Sequence, residues 1–541
     1  MAIELSSITF TNQDDIVPSS GEEQILNTGV ANTLAGNDTI TGIADSAQSG
    51  NQDGIINSGT LNTAEGDDRI TGKGWYGTGL DNTGTFDTGE DNDIITANAT
   101  YGDGLNNTGT FNTGEGNDTI TVGGRVYGII TSGTFNTGEG DDVINSWGGR
   151  LRGVIVRGIF DTGDGNDSIR GTSAGFSGVG IYNESFSFNT GDGNDTIEGQ
   201  GSYGISNKGV INTGQGKDII QDTLLVNRGY EQTISIENFF TIDTGDDDDI
   251  ITGNNCIYNE GNIHTGNGDD SIIARFFSPT YNGTLRNIDT IETGEGNDLI
   301  TSTSGGYIIY NQNGDAIGTH KAISNDGTIN TGNGQDSIIS VGNFTNKGNV
   351  FLGDDNDSIT ASIFPSTSEI IGEVDLLNRA LENYNAIETG DGKDTITSTG
   401  VIYNEGVINT GNGDDSIIVD GGIDDITGTT YGIYNNGGTI NMGDGNDSII
   451  TSEGFEGLGY VLLGNGEDYI KGFGSGEFSG GNGNDTLELT SGTYTIKRWY
   501  TAVTFTKGSS IMIASEFEKL IAGSTTYDFT SLSKGQTITV A

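Results

Sequence analysis

The sequence predicts an all-β chain wound as a right-handed parallel β-solenoid, and three observations carry that prediction. A turn of the form Gly-x-Gly-x-Asp recurs in eighteen versions, thirteen of them exact, 92 glycines stand against only 3 prolines, and many of the 32% of hydrophobic residues fall in regular columns. So few apolar residues cannot fill one large core. A stack of thin coils needs fewer, because each adds a few inward side chains to a core that grows in one dimension. Parallel crossovers are nearly always right-handed, which sets the expected hand.

Residues 1–24 lack the repeat and are expected to cap the N-terminal end, where an open solenoid would expose unpaired strand edges. Residues 25–489 carry the coils. Their turns place an Asp at 38, 68, 93, 118, 142, 167, 195, 218, 249, 270, 298, 336, 357, 394, 415, 447, 468 and 485, at intervals of 17 to 38 residues with 21 recurring four times. Two residues after each Asp stands Ile, or Leu487 in the last copy. Seven before it is usually Ile or Phe, as in Phe86, Phe111 and Ile211, and thirteen before it again mostly Ile or Leu, as in Ile55, Leu80 and Ile205. Eleven before it an Asn often opens an Asn-x-Gly turn, as at Asn57-Ser58-Gly59. Each coil is thus predicted to hold three short strands and two fixed turns. The varying length falls at a third corner, where insertions such as Phe276-Phe277-Ser278-Pro279 can bulge outward. Residues 490–541 turn β-rich without the repeat and are expected to form a C-terminal cap and secretion segment.

Seventy-six acidic residues against 22 basic ones give a net charge of −54. DNA, RNA and anionic lipid are poor partners for such a chain, whereas cations are expected in quantity. Stacking would put the eighteen carboxylates in one file, where neighbours about 4 Å apart repel by roughly 4 kcal/mol at an effective dielectric of 20. Two arrangements relieve this. Backbone N–H groups bond the carboxylates, or hard cations sit between coils on carboxylate and carbonyl oxygens.

The turns resemble the RTX, or hemolysin-type, calcium-binding repeat G-G-x-G-x-D-x-U-x, which Gly480-Gly481-Asn482-Gly483-Asn484-Asp485-Thr486-Leu487-Glu488 matches throughout. The other copies replace the first Gly with Thr in fourteen cases, Leu in two and Met in one, and Asp91, Asp247 and Asp355 replace the later turn Gly. The resemblance implies calcium held by Asp38, Asp68, Asp93, Asp118, Asp142, Asp167, Asp195, Asp218, Asp249, Asp270, Asp298, Asp336, Asp357, Asp394, Asp415, Asp447, Asp468 and Asp485. Turn carbonyls such as those of Gly114, Gly116, Gly138, Gly140, Gly163 and Gly165 would complete the ligands, with at most 18 − 1 = 17 ions between successive turns. It also implies a bacterial protein of the cell surface or exterior, exported by a type I system and serving as an S-layer, sheath or fibril component. Its partners would be copies of itself or surface polysaccharide.

The chain start lacks a basic and apolar leader, no apolar run is long enough to cross a membrane, and the single Cys256 forms no intramolecular disulfide. No catalytic role is expected. The Asp-Thr-Gly triplets at Asp87, Asp161 and Asp243 fall in a column otherwise reading Asn-Thr-Gly, the Gly171-Thr172-Ser173-Ala174-Gly175 match is what chance yields in a Gly-rich chain, and His264 and His320 stand alone. The rival readings are a calcium-dependent adhesin or ice-binding solenoid, and a polysaccharide-acting solenoid enzyme. Against the first, the outward residues flanking the Ile after each Asp decay to Arg69, Val143, Ile250 and Ser416.

Overall fold

The computed structural model describes residues 2–18, 23–44, 52–223, 234–275, 283–304, 308–310, 316–319, 321–363, 379–424 and 429–541. The insertion at Phe276-Phe277-Ser278-Pro279 and His320 lie outside the described residues. The chain divides into two compact units, Met1–Asn267 and Gly268–Ala541, built on one plan.

In the first unit each coil contributes one strand to each of three parallel sheets. The first sheet stacks Ile55–Asn57, Leu80–Asn82 and Leu105–Asn107, the second Thr60–Asn62, Thr85–Asp87 and Thr110–Asn112, and the third Arg69–Gly74, Ile94–Ala99 and Thr119–Gly124. Register is set by the apolar columns, since a one-residue slip would turn every inward side chain to solvent. Ile55 pairs with Leu80 and Leu80 with Leu105, Phe86 with Leu61 and Phe111, Ile95 with Ile70 and Ile120. All of these are buried. Where the second column is Phe, the rings of Phe86, Phe111, Phe135 and Phe160 lie parallel at 4.8 to 4.9 Å, the strand spacing itself. The unit's N-terminal residues already follow this course. Ala2–Glu4 pairs in parallel with Gln24–Asn27, and Ile16–Val17 with Thr39–Ile43.

The second unit repeats the plan up to Thr486–Leu489 and then changes hand of pairing. Gly492–Arg498, Ala502–Lys507 and Ser510–Ser515 form an antiparallel meander, whose last strand lies parallel on Gly476–Gly483. Lys519–Ala522 likewise lies on Thr486–Leu489.

Candidate metal centre

The turn that precedes each Asp is held by backbone constraints at two of its residues. Gly114 and Gly116 adopt φ of 95° and 141°, repeated at Gly138 (95°) and Gly140 (136°) and at Gly163 (84°) and Gly165 (148°). Each also meets the coil before it at close range. A Cβ on Gly138 would stand 1.7 Å from the Gly114 carbonyl oxygen, and one on Gly140 2.1 Å from that of Gly116. The candidate glycine carbonyls therefore point along the stack into the next turn. Asp91, Asp247 and Asp355, which replace a turn Gly, take the same left-handed conformation at φ of 83°, 87° and 88°.

The first position of the repeat carries no such demand. Thr113 is buried with φ outside the left-handed region, and its hydroxyl donates to the carbonyl of Thr137 in the next coil at 3.1 Å. The same bond links Thr33 to Thr63, Thr63 to Thr88 and Thr88 to Thr113. Thr thus replaces the family's first Gly without strain, leaving one lone pair on its carbonyl oxygen for a further contact.

All eighteen motif aspartates are buried, none more than 2% exposed. Within each unit they form a file. Oδ1 of each accepts the backbone N–H of the Asp in the preceding coil: Asp93 N–H donates to Asp118 at 2.7 Å, Asp118 to Asp142 at 2.7 Å and Asp142 to Asp167 at 2.8 Å. The second unit repeats this from Asp298 to Asp336, Asp336 to Asp357 and Asp447 to Asp468, each at 2.8 Å. One carboxylate oxygen is satisfied in this way. The other, Oδ2, is buried with no hydrogen-bond partner in Asp38, Asp68, Asp93, Asp118, Asp142, Asp167, Asp195 and Asp218, and in Asp298, Asp336, Asp357, Asp394, Asp415, Asp447, Asp468 and Asp485.

Burial is the largest influence on these groups and disfavours their charged form. It pushes Asp93, Asp142, Asp357 and Asp447 up to about 8. Asp68, Asp167, Asp195 and Asp415 rise to about 7, and Asp118, Asp218, Asp336 and Asp468 to about 6. The hydroxyl of the Thr five residues before, where the repeat carries one, and the N–H bond from the coil before oppose the shift without cancelling it. A file of this kind must hold either protons or cations.

The residues fit a hard cation. Carboxylate and carbonyl oxygens are the donors calcium takes, and each orphaned Oδ2 is a strong acceptor with nothing to accept. Among the described residues no three or more His, Cys, Asp or Glu side chains converge on one point, so the turn carbonyls would have to complete any coordination shell.

No protein-family description and no curated protein sequence matches the chain. Among solved structures, a hyperactive, Ca2+-dependent, β-helical antifreeze protein from an Antarctic bacterium is similar at 17% identity, over 81% of this chain and 83% of that one, with a TM-score of 0.27. At that score the likeness carries no argument about the site.

Two residues at the ends of the files are not in the repeat. Asp15 N–H donates to Asp38 at 2.7 Å, and Asp485 N–H donates to Glu518 Oε2 at 2.8 Å, so each file ends on a group outside the motif. The Asn eleven residues before each Asp does more than open a turn. Asn57 Nδ2 donates to Asn82 Oδ1 at 2.8 Å and to the Thr85 carbonyl at 2.6 Å, and Asn82 repeats both bonds one coil on. This buried amide ladder satisfies itself because an amide both donates and accepts. A carboxylate only accepts, which is why the parallel Asp ladder is left with an orphan. The residue just before the Asp forms a third, exposed ladder, in which Asn117 N–H donates to Asn92 Oδ1 at 2.9 Å and Asp141 N–H to Asn117 Oδ1 at 2.7 Å. The acidic residues three before the Asp, among them Glu65, Glu90, Glu115, Glu139, Asp164 and Asp192, are exposed, and Asp192 N–H donates to Asp164 Oδ1 at 3.2 Å.

The Asp-Thr-Gly aspartates lie on the outer side of the second sheet, where Asp87 Oδ1 accepts from Asn112 at 2.8 Å and Asp161 Oδ1 from Asn189 at 3.0 Å. Among the described residues no helix is long and apolar enough to cross a membrane.

Proposed function

We propose that this chain is a calcium-dependent structural solenoid of the bacterial exterior, of S-layer, sheath or fibril type, whose coils are neutralised by calcium lying along the Asp files. The observation that carries the reading is the column of buried Oδ2 atoms without hydrogen-bond donors, set in a chain of net charge −54. A cation shared by successive coils would use these oxygens with the turn carbonyls, and because the unfolded chain lacks the site, binding free energy becomes folding free energy. Calcium is abundant outside cells, so such a chain would fold after export. Native mass spectrometry after exchange into ammonium acetate tests this. The protein is expected to retain several calcium ions per unit, bounded by the eight intervals between nine aspartates in each. A mass equal to that of the bare polypeptide, with unchanged circular dichroism, would sink the reading.

An ice-binding face is the second reading, and one observation favours it. Thr60, Thr85, Thr110 and Thr134 stand in register on the outer side of the second sheet, next to Asn62, Asp87, Asn112 and Asn136. Ile159 follows Thr134 in that row, and Val210 lies further along it. So short a rank predicts no thermal hysteresis in calcium buffer; a measurable gap between melting and freezing would favour this reading over a structural one.

A further inference from the structure

The third corner of the first unit departs from the rest of the molecule in charge. Residues 71–80, 96–105, 121–130, 146–155 and 171–180 cover this corner in five successive coils and contain one acidic residue, Asp103, against Lys73, Arg125, Arg150 and Arg152. In a chain with 76 acidic and 22 basic residues this is a reversal of sign. The same segments hold Trp75, Tyr76, Tyr101, Tyr127, Trp147 and Phe176.

These corners are stacked in order. Tyr101 N–H donates to the Trp75 carbonyl at 2.8 Å, Arg125 N–H to Gly102 at 2.8 Å, Leu151 N–H to Val126 at 3.1 Å and Ala174 N–H to Gly148 at 3.0 Å. The rings form a surface rather than a core. Tyr76 is 64% exposed, Trp147 48% and Phe176 80%. Tyr76 and Tyr101 stack with centroids 4.9 Å apart, and the Arg125 guanidinium lies 4.9 Å from the Tyr101 ring centre. At one strand spacing per coil, five corners make a strip roughly 20 Å long. Asp103 is half-buried and accepts the Tyr127 N–H at 3.1 Å.

We propose that this basic aromatic strip binds an anionic polysaccharide, its rings packing on sugar faces and its arginines pairing with the carboxylate or sulfate groups. Three features select that occupant. The exposed rings of Tyr76, Trp147 and Phe176 on neighbouring corners offer apolar faces, and Arg beside a ring offers a planar fork suited to carboxylate or sulfate. A strip about 20 Å long falls far short of the ~800 Å² per partner of a stable protein interface, which disfavours a second copy of this chain as its occupant. Lys73, Arg125 and Arg150 over that length, Arg152 lying instead over the Tyr182 ring at 3.6 Å, suit a sparsely charged glycan better than a nucleic acid with a phosphate every ~3.4 Å per strand. Screening within about 8 Å at physiological salt lets a bound glycan feel the strip rather than the whole molecule. The strip lies outside the turn that carries the Asp file, so the proposal does not depend on what neutralises that file.

The test uses the intact protein in calcium buffer, with folding verified by circular dichroism, and titrates hyaluronan fragments, dextran sulfate and neutral dextran. Binding to either charged polymer but not to dextran is expected, the tighter of the two naming the acidic group, and it should weaken as salt rises. The Arg125→Gln/Arg150→Gln and Tyr76→Ala/Tyr101→Ala pairs should each weaken it about tenfold. The wild-type salt series stands by itself should a variant fail to fold. Equal binding of dextran, affinity indifferent to salt, or folded variants that bind like wild type would overturn the proposal. So would preference for an oligothymidylate or for anionic vesicles, or self-association lost with either pair.

Discussion

In chelator, the protein is expected to keep its β-sheet signal near pH 4 and to lose it as the pH rises toward 8, the reverse of ordinary acid denaturation. The sign follows from where the protons are. A free Asp ionises near 3.8, whereas burial holds Asp93, Asp142, Asp357 and Asp447 protonated to about 8 and Asp118, Asp218, Asp336 and Asp468 to about 6. Between those values the folded chain binds more protons than the unfolded one, so stability is fully present below the unfolded pKa and falls as pH climbs through the folded ones. Titration of the remaining acidic groups adds self-repulsion in the same direction. Calcium added at pH 8 should restore the signal, because the cation takes the place of the departing protons, and the concentration needed for half the signal should rise with pH, from none where the protonated apoprotein is already folded. Far-UV circular dichroism across pH, with and without calcium, measures all of this. An apoprotein that unfolds toward acid instead would mean that the carboxylates are ionised in the fold without cations, and the proposed role of calcium would go with it.

The second large effect is expected at Asp142, in mid-file of the first unit, where two substitutions separate what the carboxylate does. Its Oδ1 accepts the Asp118 N–H at 2.7 Å, and its Oδ2 has no hydrogen-bond partner. Asp142→Asn keeps an oxygen for that N–H and removes the need for a proton. In chelator at neutral pH it should therefore stabilise the fold, as the amide ladder through Asn57 and Asn82 shows that a neutral amide can be buried in register. In calcium the same change should destabilise by about 3–5 kcal/mol, the range for removing one member of a buried charge pair. Asp142→Ala also strips the Asp118 N–H of its acceptor, costing about 1–3 kcal/mol in either buffer. Thermal melts of the three proteins in chelator and in calcium decide it. If Asp142→Asn lowered stability equally in both buffers, the carboxylate would be a plain backbone acceptor and no shared cation would be needed.

The strip at the third corner shows how far a residue list falls short of a surface. Trp75 and Tyr76 are adjacent aromatics in sequence, and nothing along the chain groups them with the arginines of later coils. Stacking of the corners by bonds such as Tyr101 to Trp75 and Leu151 to Val126 brings them beside Arg125 and Arg150 from other coils. Intervals of 17 to 38 residues hide that alignment, because the irregular length falls at this corner.

The sequence by itself determined the coil. The Ile two residues after each Asp, the Phe or Ile seven before and the Ile or Leu thirteen before set three strands and their inward faces, since side chains alternate across a strand and only one register buries them all. It also determined that the motif aspartates of each unit would align, because the motif is locked to those columns. Only the tertiary structure decided how the file is satisfied. Whether the Asp93 N–H reaches Asp118 Oδ1 depends on the vertical approach of one turn to the next, and that approach is set by the contact of Gly116 with the carbonyl of Asp91, which no spacing within one coil reveals. The ends were likewise invisible: Asp15 and Glu518 complete the files from outside the repeat, by proximity through space rather than by pattern along the chain. The Asn column was legible as a recurring letter, but its role as a self-satisfying ladder beside an unsatisfied carboxylate one emerges only when coils are stacked. The reason is chemical. An amide carries its own donor to the next coil, whereas a carboxylate must wait for a proton or a cation.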